Sequence, residues 1–259
     1  MALVSKSLFL YGFEITTANR SIDFKTSLIG VEYQATLSLG QYTLTQLLTE
    51  IERAMKAADP ANTYTATAVR TYAGGLENRV NIATSGSFLS LLFATGSRAS
   101  SSVATLIGFT ATDHTGLTNY NGTVSAGTVL VPEYVAYSYL GPEFMRKNFG
   151  AVNIAADGTK EAITFSVQRF FQGEWKFEPQ AKVISQWAPL LDWLIQQKPF
   201  EFTPEISSPT VFYEATLEST GDDGKGLGYA MKEMLPQFPF HYQTGNMKFR
   251  QIVPASGFI

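Results

Sequence analysis

Two long stretches of this sequence repeat their apolar residues at helical spacing. Almost everything between them alternates apolar with polar residues, or groups β-branched and aromatic residues between Gly, Asn and Pro. That confines the chain to a β-rich fold with few helices. The first helical stretch opens at Thr43, followed three residues later by Gln46. This is the spacing of a capping box, in which hydroxyl and amide satisfy the free backbone donors at a helix start. Leu44, Leu47, Leu48, Ile51, Met55 and Ala58 then form one apolar stripe, with Glu50, Glu52, Arg53 and Lys56 on the wet side, and Asp59-Pro60 ends the helix. The second stretch runs from about Ser185 to Gln197. Trp187, Leu190, Leu191, Leu194 and Ile195 share a face, and Pro189 is tolerated in the first turn.

The strands read around these helices. Ile22 and Phe24 face one way in Ser21–Lys25, and the segment from Glu32 to Leu39 alternates in the same manner. Thr63–Tyr72 and Arg79–Ile82 predict a hairpin around Gly74-Gly75, and Val152–Ile154 with Ala162–Val167 predict another around Asp157-Gly158. Ser87–Phe93 is short enough to be a helical turn or a buried strand, with a short helix the preferred reading. Thr128–Tyr139, Phe200–Thr203 and Thr210–Leu217 read as strands, and Phe238–Phe249 as a strand pair turning at Gly245-Asn246. A Gly/Thr/Asn-rich region up to Gly127 marks a boundary. The expected architecture is α+β and predominantly antiparallel β, sandwich- or barrel-like, with one main amphipathic helix per domain. The domains are 1–127 and 128–259, the second with its helix at about 185–197 and an extended C-terminal arm.

Composition removes several function classes. The 259 residues hold 19 Lys+Arg against 22 Asp+Glu, for a net charge of -3, so no basic field gathers nucleic acid. With no Cys, thiolate nucleophiles, disulfides and Cys-based zinc sites are excluded. No run approaches the ~18–20 apolar residues that span a bilayer, and no secretory leader is read at the start.

Candidate chemistry is sparse. His114 follows Asp113 in a Gly/Thr-rich loop, but no Gly-x-Ser-x-Gly elbow presents a serine to it. His241 sits in a strand and reads as a packed or interfacial residue. Neither His has a second ligand at metal spacing. Asp222-Asp223-Gly224 lacks the further ligands of a calcium loop. Gly224-Lys225-Gly226-Leu227-Gly228 misses the spacing of a phosphate loop, because Ser219 and Gly226 occupy the places of its first glycine and its Ser/Thr. No catalytic residue, metal or cofactor is expected.

What stands out is aromatic content, at 13% of the chain. Trp187 and Trp193 read as core. Phe170, Phe171 and Trp175, beside Arg169 and Lys176, are candidates for an assembly interface, because aromatics anchor protein contacts at low entropy cost. Phe258 and Ile259 join them as the apolar tip of the arm Pro254–Ile259, expected to dock on a neighbour.

Gly40-Gln41-Tyr42-Thr43-Leu44 with its helix, the hairpin Thr63–Ile82, Phe88–Phe93, and Leu106–Phe109 ahead of Asp113-His114-Thr115-Gly116 resemble a module of phage tail and capsid-associated proteins. Trp187–Leu194, Pro199–Pro204 and Phe212–Glu218 resemble the helix and strands of a baseplate or tail-tube-like domain. The chain thus resembles virion structural proteins of long-tailed bacteriophages, those of the distal tail in particular. The resemblance implies a non-enzymatic ring or adaptor subunit of the virion tail, assembled in the host cytoplasm. Its partners would be itself and other tail proteins, and it would join the tail tube to receptor-binding parts. The alternatives are a head decoration or connector protein, or a carbohydrate-binding module stacking exposed Trp175 on sugar rings.

Overall fold

The computed structural model describes residues 6–71, 78–132, 143–154, 160–176, 178–220, 231–233 and 240–252. The protein is α+β and mostly antiparallel β. Strands β1 (Leu8–Tyr11), β2 (Phe13–Ile15), β3 (Ser21–Lys25), β4 (Tyr33–Thr36) and β5 (Gly40–Tyr42) lead into helix α1 (Leu44–Ala58). Then come β6 (Tyr64–Val69), β7 (Arg79–Thr84), β8 (Leu89–Leu91), β9 (His114–Leu117), β10 (Asn119–Asn121) and β11 (Thr128–Leu130). Beyond them lie β12 (Glu143–Ile154), β13 (Lys160–Gly173), β14 (Glu178–Pro179), the helical segments α2 (Gln180–Lys182) and α3 (Ala188–Ile195), β15 (Phe200–Thr203), β16 (Tyr213–Thr220), β17 (Lys232–Glu233), β18 (His241–Gln243) and β19 (Met247–Gln251). Of the strand expected over Thr128–Tyr139, the part beyond Pro132 lies outside the described residues, as does the Asp157-Gly158 turn between β12 and β13.

The chain forms two compact units. One comprises Leu10–Val129 with Ser207–Thr210, and the other Met1–Phe9, Leu130–Ile206 and Val211–Ile259. The expected first domain is therefore corrected at its start, since the chain up to Phe9 belongs with the later residues. The reason is local: Leu8 and Phe9 are buried, and the Phe9 ring packs on Trp175, Trp187 and Phe200 of that later unit; the sheet that β1 enters is ordered β11-β1-β15-β16-β19-β13-β12.

In the first unit, α1 begins as its sequence requires. Gln46 N–H donates to Thr43 Oγ1 at 3.2 Å, and Thr43 N–H donates to Gln46 Oε1 at 3.1 Å. Its buried stripe of Leu44, Leu47, Leu48, Ile51, Ala54 and Met55 packs on β4 and β6. Glu50, expected on the wet face, is buried instead, because its carboxylate accepts from Ser38 N–H at 2.6 Å and pairs with Arg53. Strands β6 and β7 form the expected hairpin, with β10 on the far side of β7, and its Gly74-Gly75 turn lies outside the described residues. A four-stranded sheet runs β4-β3-β8-β9. Of the two readings of Ser87–Phe93, the preferred short helix is corrected to the buried strand, β8. Leu89, Ser90 and Leu91 are all buried, and pairing of Leu91 with Phe24 hides both faces in a way no isolated helical turn could.

In the second unit, Phe9 is the hub of an aromatic core. Its ring meets Trp175 at 5.1 Å, Trp187 at 5.9 Å, Phe200 at 5.7 Å, Phe202 at 5.0 Å and Phe249 at 6.0 Å. Such edge and tilted geometries set ring edges against ring faces, which adds to the gain from burial. The second helix starts earlier than expected, at Gln180, and passes through a π-helical stretch at Val183–Trp187 before α3. Pro189 explains the wide turn: it has no N–H to give, and the backbone adopts i→i−5 bonding ahead of it, with Ala188 N–H donating to Val183 C=O. Strands β18 and β19 exist as expected but do not pair with each other. β18 joins β14 and β17, whereas β19 lies between β13 and β16. Thr244 separates them by binding Trp175 on both backbone sides. Its N–H donates to Trp175 C=O at 2.9 Å, and its Oγ1 accepts from Trp175 N–H at 3.0 Å.

Candidate functional site

Three of the five residues expected at an assembly interface lie in the second unit's own core. Phe170, Phe171 and Trp175 are 3%, 1% and 3% exposed. Phe171 stacks on Phe202 at 4.9 Å and leans on Phe249 at 5.0 Å. The indole N–H of Trp175 donates to the buried Ser7 hydroxyl at 3.1 Å. Along a strand, successive residues take opposite faces, so Phe170 points away from Phe171. It is covered on its own side by the Lys248 ammonium, 4.8 Å from its ring centre. These aromatics are corrected from interface to core. The same burial removes Trp175 as a platform for sugar rings. Trp193 is half-buried, with the Lys198 ammonium 4.6 Å over its ring and its own N–H given to Pro199 C=O. Phe258 and Ile259 lie outside the described residues with the rest of the arm Pro254–Ile259, as do Asp222–Gly228.

His114 sits on β9 within a ring of aromatics, 6.0 Å from Phe93, 5.3 Å from Phe109 and 5.6 Å from Tyr120. Asp113 does not orient it. That carboxylate is occupied by Ala94 N–H at 2.7 Å and by the backbone and hydroxyl of Thr95. Burial pushes the Asp113 acid upward, but those hydrogen bonds outweigh it and hold the group below the usual carboxylate range. His241 is half-buried on β18, opposite Pro179. Among the described residues, no group of three or more His, Cys, Asp or Glu side chains could hold a metal ion, and no helix is long and apolar enough to cross a membrane.

Two other features bear on a partner. The first is a two-stranded ribbon in the second unit. β12 and β13 pair continuously from Glu143↔Gln172 to Ile154↔Lys160, interrupted by one bulge that leaves Phe165 as the extra residue. β19 accompanies β13 only over Phe170–Gly173. From Arg146↔Arg169 to Ile154↔Lys160, the ribbon has no third strand among the described residues. At ~3.3 Å per residue this part is about 25–30 Å long.

The second is the β3–β4 connection in the first unit, where Leu28, Ile29 and Val31 are 78%, 98% and 77% exposed. The strand alternation that marks Ile22 and Phe24 stops before these residues. The signal that could have singled them out is Leu-Ile at a turn, where Gly, Asn, Asp or Pro are usual. No protein-family model matches the chain, and no curated protein matches it.

Proposed function

We propose that this chain is a structural subunit of a bacteriophage tail, self-associating into a ring at the distal tail or baseplate and joining the tail tube to receptor-binding parts. The observation that carries this reading is the β12–β13 ribbon. Among the described residues β12 has β13 as its one neighbour; a two-stranded ribbon by itself is marginal in water, and a strand edge is a template for pairing with another chain. A neighbouring copy that lays a strand along this edge satisfies its backbone groups. Repeated head to tail, such a contact closes into a ring. The low charge of the chain, 16% Asp, Glu, Lys and Arg, is compatible with stacking of copies, because few charges need be desolvated. The tail setting itself comes from the sequence resemblance.

The test is solution mass by light scattering after gel filtration, with negative-stain images of the product. Rings of three, six or twelve copies are expected. A variant in which 147–168 is replaced by a short Gly/Ser turn should fold yet run as a monomer. A wild-type chain that stays monomeric at high concentration and forms no rings overturns the reading.

A further inference from the structure

Asn121-Gly122 is the one Asn-Gly pair in the sequence. An Asn followed by Gly is open to attack by the next backbone nitrogen on its own side chain, because Gly puts no Cβ in the way and leaves the backbone free to bend toward the amide. Here the fold demands the Gly. A Cβ at 122 would stand 2.8 Å from the backbone oxygen of Gly108. The fold also holds both reacting groups, through adjacent residues of β7. Gly122 N–H donates to Val80 C=O at 2.7 Å, and Asn81 Nδ2 donates to Asn121 Oδ1 at 3.0 Å. Gly122 is buried and Asn121 is exposed. While β10 lies on β7, the Gly122 nitrogen is engaged with Val80 rather than with Asn121 Cγ. The pairing is held by Tyr120 in the middle of β10. Its buried phenol donates to Leu89 C=O at 2.9 Å and accepts from Leu117 N–H at 2.7 Å.

We infer that Asn121 is a self-modification site gated by β10: it is converted to Asp or isoAsp when β10 lifts from β7, and spared while the two strands are paired. β10 is a short strand at the end of the sheet β10-β7-β6, and such elements open at lower free energy than core strands. Lifting frees the Gly122 nitrogen and the Asn121 amide together, since β7 holds both. The nitrogen gives its proton to solvent base and attacks Asn121 Cγ. The new N–C bond forms, the Cγ–Nδ2 bond breaks, and the side-chain nitrogen leaves as ammonia, giving a cyclic imide. Water then adds to either carbonyl of that ring and opens it, so that overall one water is consumed and one ammonia released. Opening at one carbonyl gives Asp. Opening at the other gives isoAsp, in which the main chain runs through the former side chain and gains a methylene. Both products carry a carboxylate where an amide met Asn81, and isoAsp displaces the Gly122 N–H from Val80. A transient opening of β10 is thereby made permanent.

The experiment ages the full chain in mildly alkaline buffer, folded and in urea. Conversion of Asn121 is read by peptide mass spectrometry, and opening of β10 by hydrogen exchange at the Gly122 amide. In urea, Asn121 should convert ahead of every other Asn. In the folded protein it should convert at least about tenfold more slowly, in step with Gly122 exchange as urea is added below the unfolding transition. Tyr120→Phe removes both phenol hydrogen bonds, and should speed conversion of the folded protein about tenfold while leaving the rate in urea unchanged. The inference is overturned if Asn121 has no preference in urea, if the folded chain converts at the urea rate, or if Gly122 exchange rises without conversion. The urea series uses the wild-type chain, so it decides the matter whether or not Tyr120→Phe folds.

Discussion

Arg98 closes on Asp23 across 75 positions of sequence, its Nε at 3.0 Å and its Nη2 at 2.8 Å from Oδ1, while its own backbone N–H donates to Oδ2 at 2.6 Å. The Asp23 side chain is 1% exposed. Arg98 continues to Thr36 Oγ1 and Ala35 C=O, so one guanidinium ties β3, β4 and the 92–98 loop together beneath the hairpin tip. Removing the guanidinium leaves a buried carboxylate without its ion pair, with the backbone N–H of residue 98 still bound to it. Arg98→Ala should cost about 3–5 kcal/mol, measured by urea unfolding, and adding Asp23→Leu to it should recover part of the loss. A cost within that of ordinary surface substitutions contradicts the role given to the pair.

Glu50 makes stability depend on acid. Hydrogen bonds from Arg53 pull its pKa down from 4.5 to about 2, against the upward push of burial and with help from Ser38 N–H. A depressed carboxylate contributes stability above its unfolded value and loses it as pH falls through the folded value. The loss therefore falls between about pH 4.5 and 2, and amounts to at most roughly 3 kcal/mol. Glu50→Gln should be less stable at pH 7 and should show a shallower fall over that window, followed as urea midpoints at each pH.

The two core tryptophans differ in their indole N–H. Trp175 gives its proton to Ser7, whereas the fully buried Trp187 has no hydrogen-bond acceptor for its own among the described residues. Truncation to Phe takes the same atoms from each. It also leaves the Ser7 hydroxyl without its donor in one case, and removes an unsatisfied donor in the other. Trp175→Phe should cost about 1–3 kcal/mol more than Trp187→Phe, and thermal melts of the two variants decide it.

Gly127 is required by both conformation and space. Its φ is +69°, and a Cβ there would stand 2.4 Å from the Phe13 ring, which is fully buried and cannot withdraw. Gly127→Ala should cost more than about 2 kcal/mol, and adding Phe13→Leu to make room should return part of it. Equal stability of Gly127→Ala and wild type, by urea midpoint, contradicts this.

Helix α1 was legible to the residue, because everything that defines it lies within a few positions: the Thr43–Gln46 cap, the three-and-four spacing of its leucines and the Asp59-Pro60 stop. The pairing of β6 with β7 was legible for the same reason, and so was the Val152–Ile154 end of the β12–β13 pair, but not its continuation to Glu143 and Gly173. The fold class followed from alternation alone. The candidate site was not legible. Phe170, Phe171 and Trp175 carry the same chemistry whether they face a neighbour or the protein's own core, and the choice belongs to Phe9, Phe202 and Phe249, which come from distant strands. Ser87–Phe93 became strand because Phe24 waits beside Leu91, and β18 and β19 parted because Thr244 clamps Trp175. Local pattern determined helix or strand where spacing and caps are strong, as in α1, since these act through neighbouring residues; at Leu89–Leu91 the pairing partner decided it. Partnership between segments, and hence which apolar side chains remain at the surface, was decided by packing, where burial depends on what else arrives.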